Sequence, residues 1–284
     1  MPSLYPNEVA QLTKLYRTSM EEVSSLVTEG TAFQRGRTRV LIRKVSDALR
    51  PLDRETAKWA GDLIPRAYDR GAADVVKGLR NIGYRGPLST EFVGVHERAV
   101  EAIARSVERD LGRATRRAEG MVGRVLRRTQ QAVVKEEFLN TEVGKALVKG
   151  APRRELSRAL RGLFDRASDR EGLLHIADGQ FVRAGSKWVP LDYYCELVAR
   201  TATRQATVQG TIDRLSDNGL DLVVVVGPRD TCEICQEFVG QVYSISGRSE
   251  KYPSLAEAMG GPPYHPNCEH GLGAFVEGLS RLAA

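Results

Sequence analysis

The sequence is poor in cysteine, in aromatic residues and in long apolar runs. Four cysteines in 284 residues are too few for a disulfide-stapled scaffold. The longest apolar run, Leu222–Val226, is far shorter than the roughly 18 residues that a membrane span needs, and no signal peptide is evident. The composition therefore indicates a soluble protein made in a reducing cytoplasm, with no membrane partner.

Motifs that would point to an enzyme are also missing. The sequence has no P-loop, and it lacks the H-x-E and P-C-x-x-C pattern of the zinc deaminases. The net charge is +6, and arginine supplies most of the positive charge. A positive balance permits contact with nucleic acid but does not define a site for it.

Helical periodicity dominates the chain before residue 170. A first helix is expected to end at Gly30, because its apolar residues recur at spacings of three and four up to that point. A second helix is predicted over Thr31–Leu52 and a third over Asp53–Gly83. Asp53 would cap the third helix, and Pro65 would kink or break it.

The longest predicted helix begins after a loop at residues 84–90. Ser89 or Thr90 would cap it, and its apolar pattern continues to about Phe138. A helix of this length exceeds the usual globular range and suggests an extended or coiled-coil-like arm. Two shorter helices are predicted at Thr141–Lys149 and Pro152–Ala167.

The polar face of the long helix is basic. It carries Arg105, Arg109, Arg113, Arg116, Arg117, Arg124, Arg127 and Arg128. One interpretation is a solvated face with intrahelical Glu–Arg pairs, and the other is a surface for DNA or for an acidic partner. No aromatic residue interleaves with these arginines in the sequence, which disfavours stacking on single-stranded bases.

After residue 170 the sequence alternates between strand and helix patterns. A hairpin is predicted around Gly179 and Gly185, followed by a helix over Asp192–Asp217. Leu222–Val226 reads as a central strand, GQVYSISG as a second strand, YPSLAEAM as a short helix and the C-terminal residues as a loop with a final strand. The expected fold is α+β: an extended, mostly helical arm over residues 1–170 and an α+β module over residues 171–284.

Two short motifs in this module have the spacing of metal ligands. Cys232 and Cys235 form a C-x2-C pair, and His265 and Cys268 form an H-x2-C pair further along. Two such turns complete a tetrahedral Cys3His shell, the closed geometry of structural zinc. His270 is an alternative to His265 as the histidine ligand. A full shell leaves no position for a reactive water, so no catalytic role is predicted for the metal.

Two other interpretations of the cysteines remain open. A thioredoxin-like redox pair would open a helix in a βαβ unit, whereas here a strand is expected after the pair. Unligated thiols in a folded core are the second alternative. Elsewhere, Cys195 is expected to be a core thiol, and His96 and His175 receive no role.

The C-terminal sequence resembles the phage minor capsid proteins, within the head-morphogenesis group typified by phage Mu. The resemblance rests on a helix with an ARTxxR-like stretch, a buried strand, C-x-x-C, a G-Q-V-Y strand and a terminal HPNC, all in order between about Asp178 and Val276. The residues that match in the helix are Arg200, Thr201 and Arg204. We expect them to contact the loop around the cysteines or to cap backbone carbonyls.

The resemblance implies a structural virion protein without enzymatic activity. Its expected place is the capsid interior near the portal vertex, after synthesis in the host bacterial cytoplasm. The implied partners are the portal protein, the major capsid protein and packaged double-stranded DNA, and no small-molecule substrate is implied. The implied roles are in head assembly and in DNA packaging or ejection.

One alternative function belongs to a different class. A zinc-containing nuclease or toxin-like enzyme could use His265 and Asn267 beside a metal open to water.

Glu269 departs from the family pattern, since a basic residue is expected between the last cysteine and the following histidine. This departure argues against an anion-binding role for the terminal motif.

Overall fold

The computed structural model describes residues 4–28, 38–91, 94–133, 182–184, 186–228 and 233–280. Four long helices dominate this part of the chain, and they are α1 (Pro6–Thr28), α2 (Thr38–Asn81), α3 (Gly94–Val133) and α4 (Leu191–Asp217). None of the helices within these ranges is both long and apolar enough to cross a membrane. The predicted helices at 141–149 and 152–167, His175, and the boundary at residue 170 lie outside the described residues.

Short strands make two antiparallel sheets. The strands β1 (Val182–Ala184) and β2 (Lys187–Val189) form a hairpin, as predicted around Gly185. The strands β3 (Leu222–Val226), β4 (Val242–Ser244) and β5 (Gly271–Ala274) form a sheet in the order β4-β3-β5. The α+β prediction is confirmed by this combination of helices and a small antiparallel sheet.

Two compact units can be distinguished by their internal contacts. The first comprises Met1–Ala10, Ala57–Glu108 and Leu197–Ala284, and the second comprises Gln11–Thr56 and Arg109–Glu196. In the first unit, Val75 and Leu79 of α2 and Leu215 of α4 share one apolar cluster with the three-stranded sheet.

The second unit has its own buried core. Tyr16 of α1 is fully buried, and its hydroxyl lies 2.8 Å from the Thr56 hydroxyl of α2. Arg17 donates to the Asp192 carboxylate at the start of α4 at 2.9 Å. Cys195 is fully buried, and burial raises the pKa of its thiol, so the prediction of a core thiol is confirmed.

Helix α2 corrects the prediction of two helices separated at Asp53. The helix runs through Asp53 and Pro65 without a break. A proline in a helix interior costs about 3 kcal/mol, but fully burying one large apolar side chain contributes roughly 1.5–3 kcal/mol. Leu63, Ile64 and Tyr68 are all buried beside Pro65, and their packing outweighs the lost hydrogen bond.

The start of α3 is also a correction. Ser89 and Thr90 do not cap the helix, which begins at Gly94. Their backbone carbonyls instead accept hydrogen bonds from the Arg214 guanidinium, which also donates to the Glu91 carbonyl at 2.9 Å. The loop is therefore held by a buried arginine of α4, a long-range partner that capping rules do not consider.

Candidate metal centre and basic face

Cys235 lies in a single helical turn between two strands of the sheet. Strand β3 ends at Val226, and the four-residue helix α5 (Glu233–Gln236) follows and carries Cys235, which is fully buried. Strand β4 (Val242–Ser244) follows this helical turn, so a strand comes after the cysteine pair, as expected. Strands β3 and β4 are antiparallel. The pair does not have the βαβ setting of a thioredoxin-like motif.

The second group of side chains comes from the loop before β5, residues 264–270, which we call the terminal loop. Asn267 has a left-handed φ of 68°, and the Cys268 amide donates to the His265 carbonyl at 3.1 Å. This tight turn places the side chains of His265 and Cys268 close together. His270 is buried two residues later.

The side chains from these two places converge. The Sγ atoms of Cys235 and Cys268 lie 3.9 Å apart, and His270 Nδ1 lies 3.6 Å from Cys268 Sγ. With zinc bonds of about 2.3 Å to sulfur and 2.0–2.1 Å to nitrogen, a tetrahedral site has S–S and S–N separations of about 3.8 and 3.5 Å. Ligand atoms of Cys235, Cys268 and His270 therefore have the mutual spacing of a metal site.

Backbone carbonyls fix the tautomers of both histidines. His270 Nε2 lies 2.9 Å from the Pro228 carbonyl, and His265 Nδ1 lies 2.7 Å from the Pro266 carbonyl. A carbonyl only accepts, so these nitrogens carry the protons. The lone pairs of His270 Nδ1 and His265 Nε2 then face the thiols, and His265 Nε2 is 3.0 Å from Cys235 Sγ. This is the arrangement of metal-ligating histidines.

These contacts bring together three of the four predicted ligands, Cys235, His265 and Cys268, and they bring His270 to the same place. Cys232 lies outside the described residues. The predicted ligand roles remain predictions, because proximity alone does not show which atoms bind an ion. The donor set of sulfur and imidazole nitrogen fits a borderline metal such as zinc.

The helix residues singled out by the resemblance lie on α4. Arg204 is only 7% exposed, and its guanidinium approaches Gly271 of β5. Desolvation lowers the pKa of Arg204, and the nearby Cys268 and Glu269 oppose that effect. Arg204 is thus placed beside the terminal loop, whereas the Thr201 hydroxyl donates to the Leu197 carbonyl of its own helix.

The basic face of α3 divides into two parts. Arg105 pairs with Glu101, and Arg109 lies 3.7 Å from Asp110, as expected for a solvated face. Four other arginines line a cavity in the second unit, and they are Arg113, Arg116, Arg117 and Arg124. Arg127 is exposed and is not among the residues that line the cavity. The structure does not describe the side chain of Arg128.

A buried polar network in the first unit was missed at the sequence level. His96 is buried, and its Nε2 lies 2.9 Å from the Asp217 carboxylate. The Tyr68 hydroxyl donates to Asp213 at 2.6 Å, and its ring lies 5.8 Å from that of His96. The contacts join α2, α3 and α4. The one signal of this network in the sequence was the position of His96 on the apolar side of its predicted helix.

The three-stranded sheet and the loops beside it give the C-terminal part of the chain a cluster of side chains with the donor set of a metal site. Residues 157–284 match the family described as phage minor capsid protein 2. The predicted resemblance is thereby confirmed: this C-terminal part of the chain is similar to the phage minor capsid proteins. Comparisons with curated proteins and with solved structures gave no match.

Proposed function

We propose that this protein is a structural component of a phage head whose C-terminal module is held together by a structural zinc ion. The family match over residues 157–284 is the observation that carries the head role, and it favours a non-enzymatic virion protein. The cluster of Cys235, Cys268 and His270 supports the metal. Thiolate and imidazole ligands suit zinc better than hard cations such as Mg²⁺ or Ca²⁺.

A metal ion would suit the contacts that these side chains already make. Two imidazole lone pairs point at two sulfur atoms, and only a thiol proton or a cation can make these contacts favourable. A zinc ion would satisfy all of them at once. Cys235, Cys268 and His270 would hold it, and the fourth ligand would be Cys232 or His265.

We assign the protein to the head interior near the portal vertex, where it would contact the portal and major capsid proteins and aid head assembly and DNA packaging or ejection. Support for this location comes from the family alone. The experiment is an affinity pulldown of the tagged protein from infected cells and purified virions. Recovery of the portal protein is expected, and its repeated absence from particles that contain the tagged protein would contradict the assignment.

A non-enzymatic role gives a second test. Asn267 adopts the left-handed conformation that shapes the terminal loop, which is a structural reason for its presence. Purified protein with added Mg²⁺ is therefore expected to leave plasmid DNA uncut. Cleavage that disappears in Asn267→Ala, while metal content and helicity are retained, would favour the nuclease alternative instead.

A further inference from the structure

The cavity beside α3 combines charge and an aromatic ring in a way that the sequence does not show. Its volume is about 670 Å³, within the range of roughly 300–1,000 Å³ that is typical of ligand sites. The helix contributes four arginines, and the hairpin contributes Val182 and Trp188. Trp188 lies more than sixty positions after the arginines, outside the stretch of sequence in which no aromatic residue interleaves with them.

The four arginines form one row of cations on α3. Arg113, Arg116, Arg117 and Arg124 are spaced so that they share one face of α3, over about 16 Å of helix. All four are exposed, and within the described part of the chain no carboxylate lies at ion-pair distance from any of them. Arg105 and Arg109, on the same helix, do have acidic neighbours.

The lining side chains that the structure describes offer hydrogen-bond donors and apolar surface. Guanidinium groups and the Trp188 indole are hydrogen-bond donors only, and Met121 and Val182 are apolar. A bound group should therefore be an acceptor with a flat or apolar part. A peptide segment would bring backbone N–H donors that these side chains cannot accept, whereas a phosphodiester carries only acceptors at neutral pH.

Gly120 opens the cavity towards the helix backbone. Within the described part of the chain, a Cβ atom added at this glycine would meet only the end of Arg124, at 3.7 Å. The glycine leaves space where a base could lie between the helix and Trp188. Arginine forks bind phosphate in a bidentate manner, and stacking on an aromatic side chain contributes about 1–3 kcal/mol per base.

We propose that this cavity binds a nucleotide unit, with phosphate on the arginines and the base against Trp188. The unit could belong to a single strand of nucleic acid or to a free nucleotide. The proposal is independent of the metal centre and of the head role, since it rests only on the lining of the second unit. Duplex DNA, whose bases are paired and stacked, would reach the arginines but not the indole ring.

Fluorescence of Trp188 gives a direct test. The chain has two tryptophans, so Trp59→Phe leaves Trp188 as the single emitter. This protein is titrated with a thymidine 12-mer, with thymidine monophosphate, with a 12-base-pair duplex and with a glutamate 12-mer. We expect the single strand to quench Trp188, and the monophosphate shows whether a free nucleotide suffices. Equal binding of the glutamate peptide, or binding of the single strand without quenching of Trp188, would overturn the proposal.

Variants separate the site from general charge. Arg116→Ala with Arg117→Ala should weaken single-strand binding at least tenfold and flatten the salt dependence by about 1.4 in the log–log slope, since each phosphate contact contributes about 0.7. Gly120→Leu fills the cavity without changing charge and should abolish quenching. Arg105→Ala removes a charge from the same helix outside the cavity and should leave binding unchanged. Helicity by circular dichroism confirms folding, and unchanged affinity in both cavity variants would contradict the proposal.

Discussion

At the scale of single residues, Asp221 connects β3 with the residues after β4. Its carboxylate accepts from the Ser244 hydroxyl and, at 2.7 Å, from the Ser246 amide. Desolvation works to raise the pKa of Asp221, but these hydrogen bonds, together with Arg248, lower it below the ordinary value of 3.8. The ionised carboxylate therefore stabilises the folded state.

The sign of this effect predicts a pH dependence. Because the folded pKa is below the unfolded one, the stabilisation is present above about pH 4 and is lost as the pH falls through the folded pKa. Asp221→Asn should lower the melting temperature at pH 6 and reduce the loss of stability between pH 4 and pH 2. Asp62→Asn, on an exposed part of α2, is the control. Identical profiles for Asp221→Asn and wild type would contradict this account.

The two histidines of the centre can also be separated at this scale. His270 is buried, with one nitrogen facing Cys268 and the other donating to Pro228. Gly227 makes room for it, since a side chain there would overlap the imidazole ring. We predict that His270→Ala lowers zinc affinity at least tenfold, measured by competition with a chromophoric chelator. Half-buried His265 is the comparison, and a larger loss in His265→Ala would assign the ligand to it instead.

At the scale of elements, α2 and α4 approach each other closely in the first unit. A side chain at Gly71 would overlap the Thr207 carbonyl, and one at Gly210 would overlap the Tyr68 carbonyl. The Thr207 hydroxyl donates to the Ala67 carbonyl across the same contact at 3.1 Å. The two glycines thus allow backbone-to-backbone packing of the helices.

This contact predicts opposite effects of two substitutions in one helix. Gly71→Ala should destabilise the protein by about 2–3 kcal/mol, because the methyl group forces the helices apart. Gly78→Ala has no atom within 4 Å of the added methyl and should stabilise by about 0.5–1 kcal/mol through helix propensity. Both values are measured by urea denaturation. Equal effects of the two changes would show that the close approach does not exist.

Elements with strong local signals could be predicted from the sequence. The β-branched run predicted β3 with its observed ends, and the helical period with Asn218 and Gly219 at its end predicted α4. The predictions were wrong where contacts between residues far apart in the sequence determine the local structure. Pro65 stays inside α2 because flanking side chains are buried, and Ser89 is held by Arg214 rather than capping α3. Neither contact has a local sequence signature.

Some features of the candidate site could likewise be predicted from the sequence, and others could not. The spacing of the cysteine and histidine pairs predicted that His265 and Cys268 would approach Cys235, because short turns aim both ligands of a pair in one direction. The spacing favoured His265 over His270, because its two-residue gap to Cys268 matches that of the cysteine pair, but it could not show the contact of His270 with the Pro228 carbonyl. Trp188 was missed beside the arginines because a hairpin supplies it from outside the helix.

At the scale of the whole molecule, the candidate metal centre belongs to the core of the first unit. Cys235 and Cys268 lie in the same apolar cluster as Val75 and Leu79 of α2 and Leu215 of α4. Because ligation contributes folding free energy directly, losing the ion should weaken this cluster as a whole. Loss of the ion should therefore also destabilise the packing of α2, which lies in the first third of the sequence.

Hydrogen exchange can follow this coupling. After zinc removal with a chelator, we expect faster exchange in the sheet, in the terminal loop and in residues 74–81 of α2. Residues 41–52, which lie in the second unit, should keep their protection, and re-addition of zinc should restore the rest. Exchange that rises only in the terminal loop would mean that the ion does not support the core.

The metal content of the purified wild-type protein tests the central claim most directly. Elemental analysis of protein purified without chelators is compared with Cys268→Ser, which removes one sulfur from the cluster. The account predicts about one equivalent of zinc in the wild type and close to none in the variant. Less than about half an equivalent in folded wild-type protein, or an unchanged content in Cys268→Ser, would contradict it.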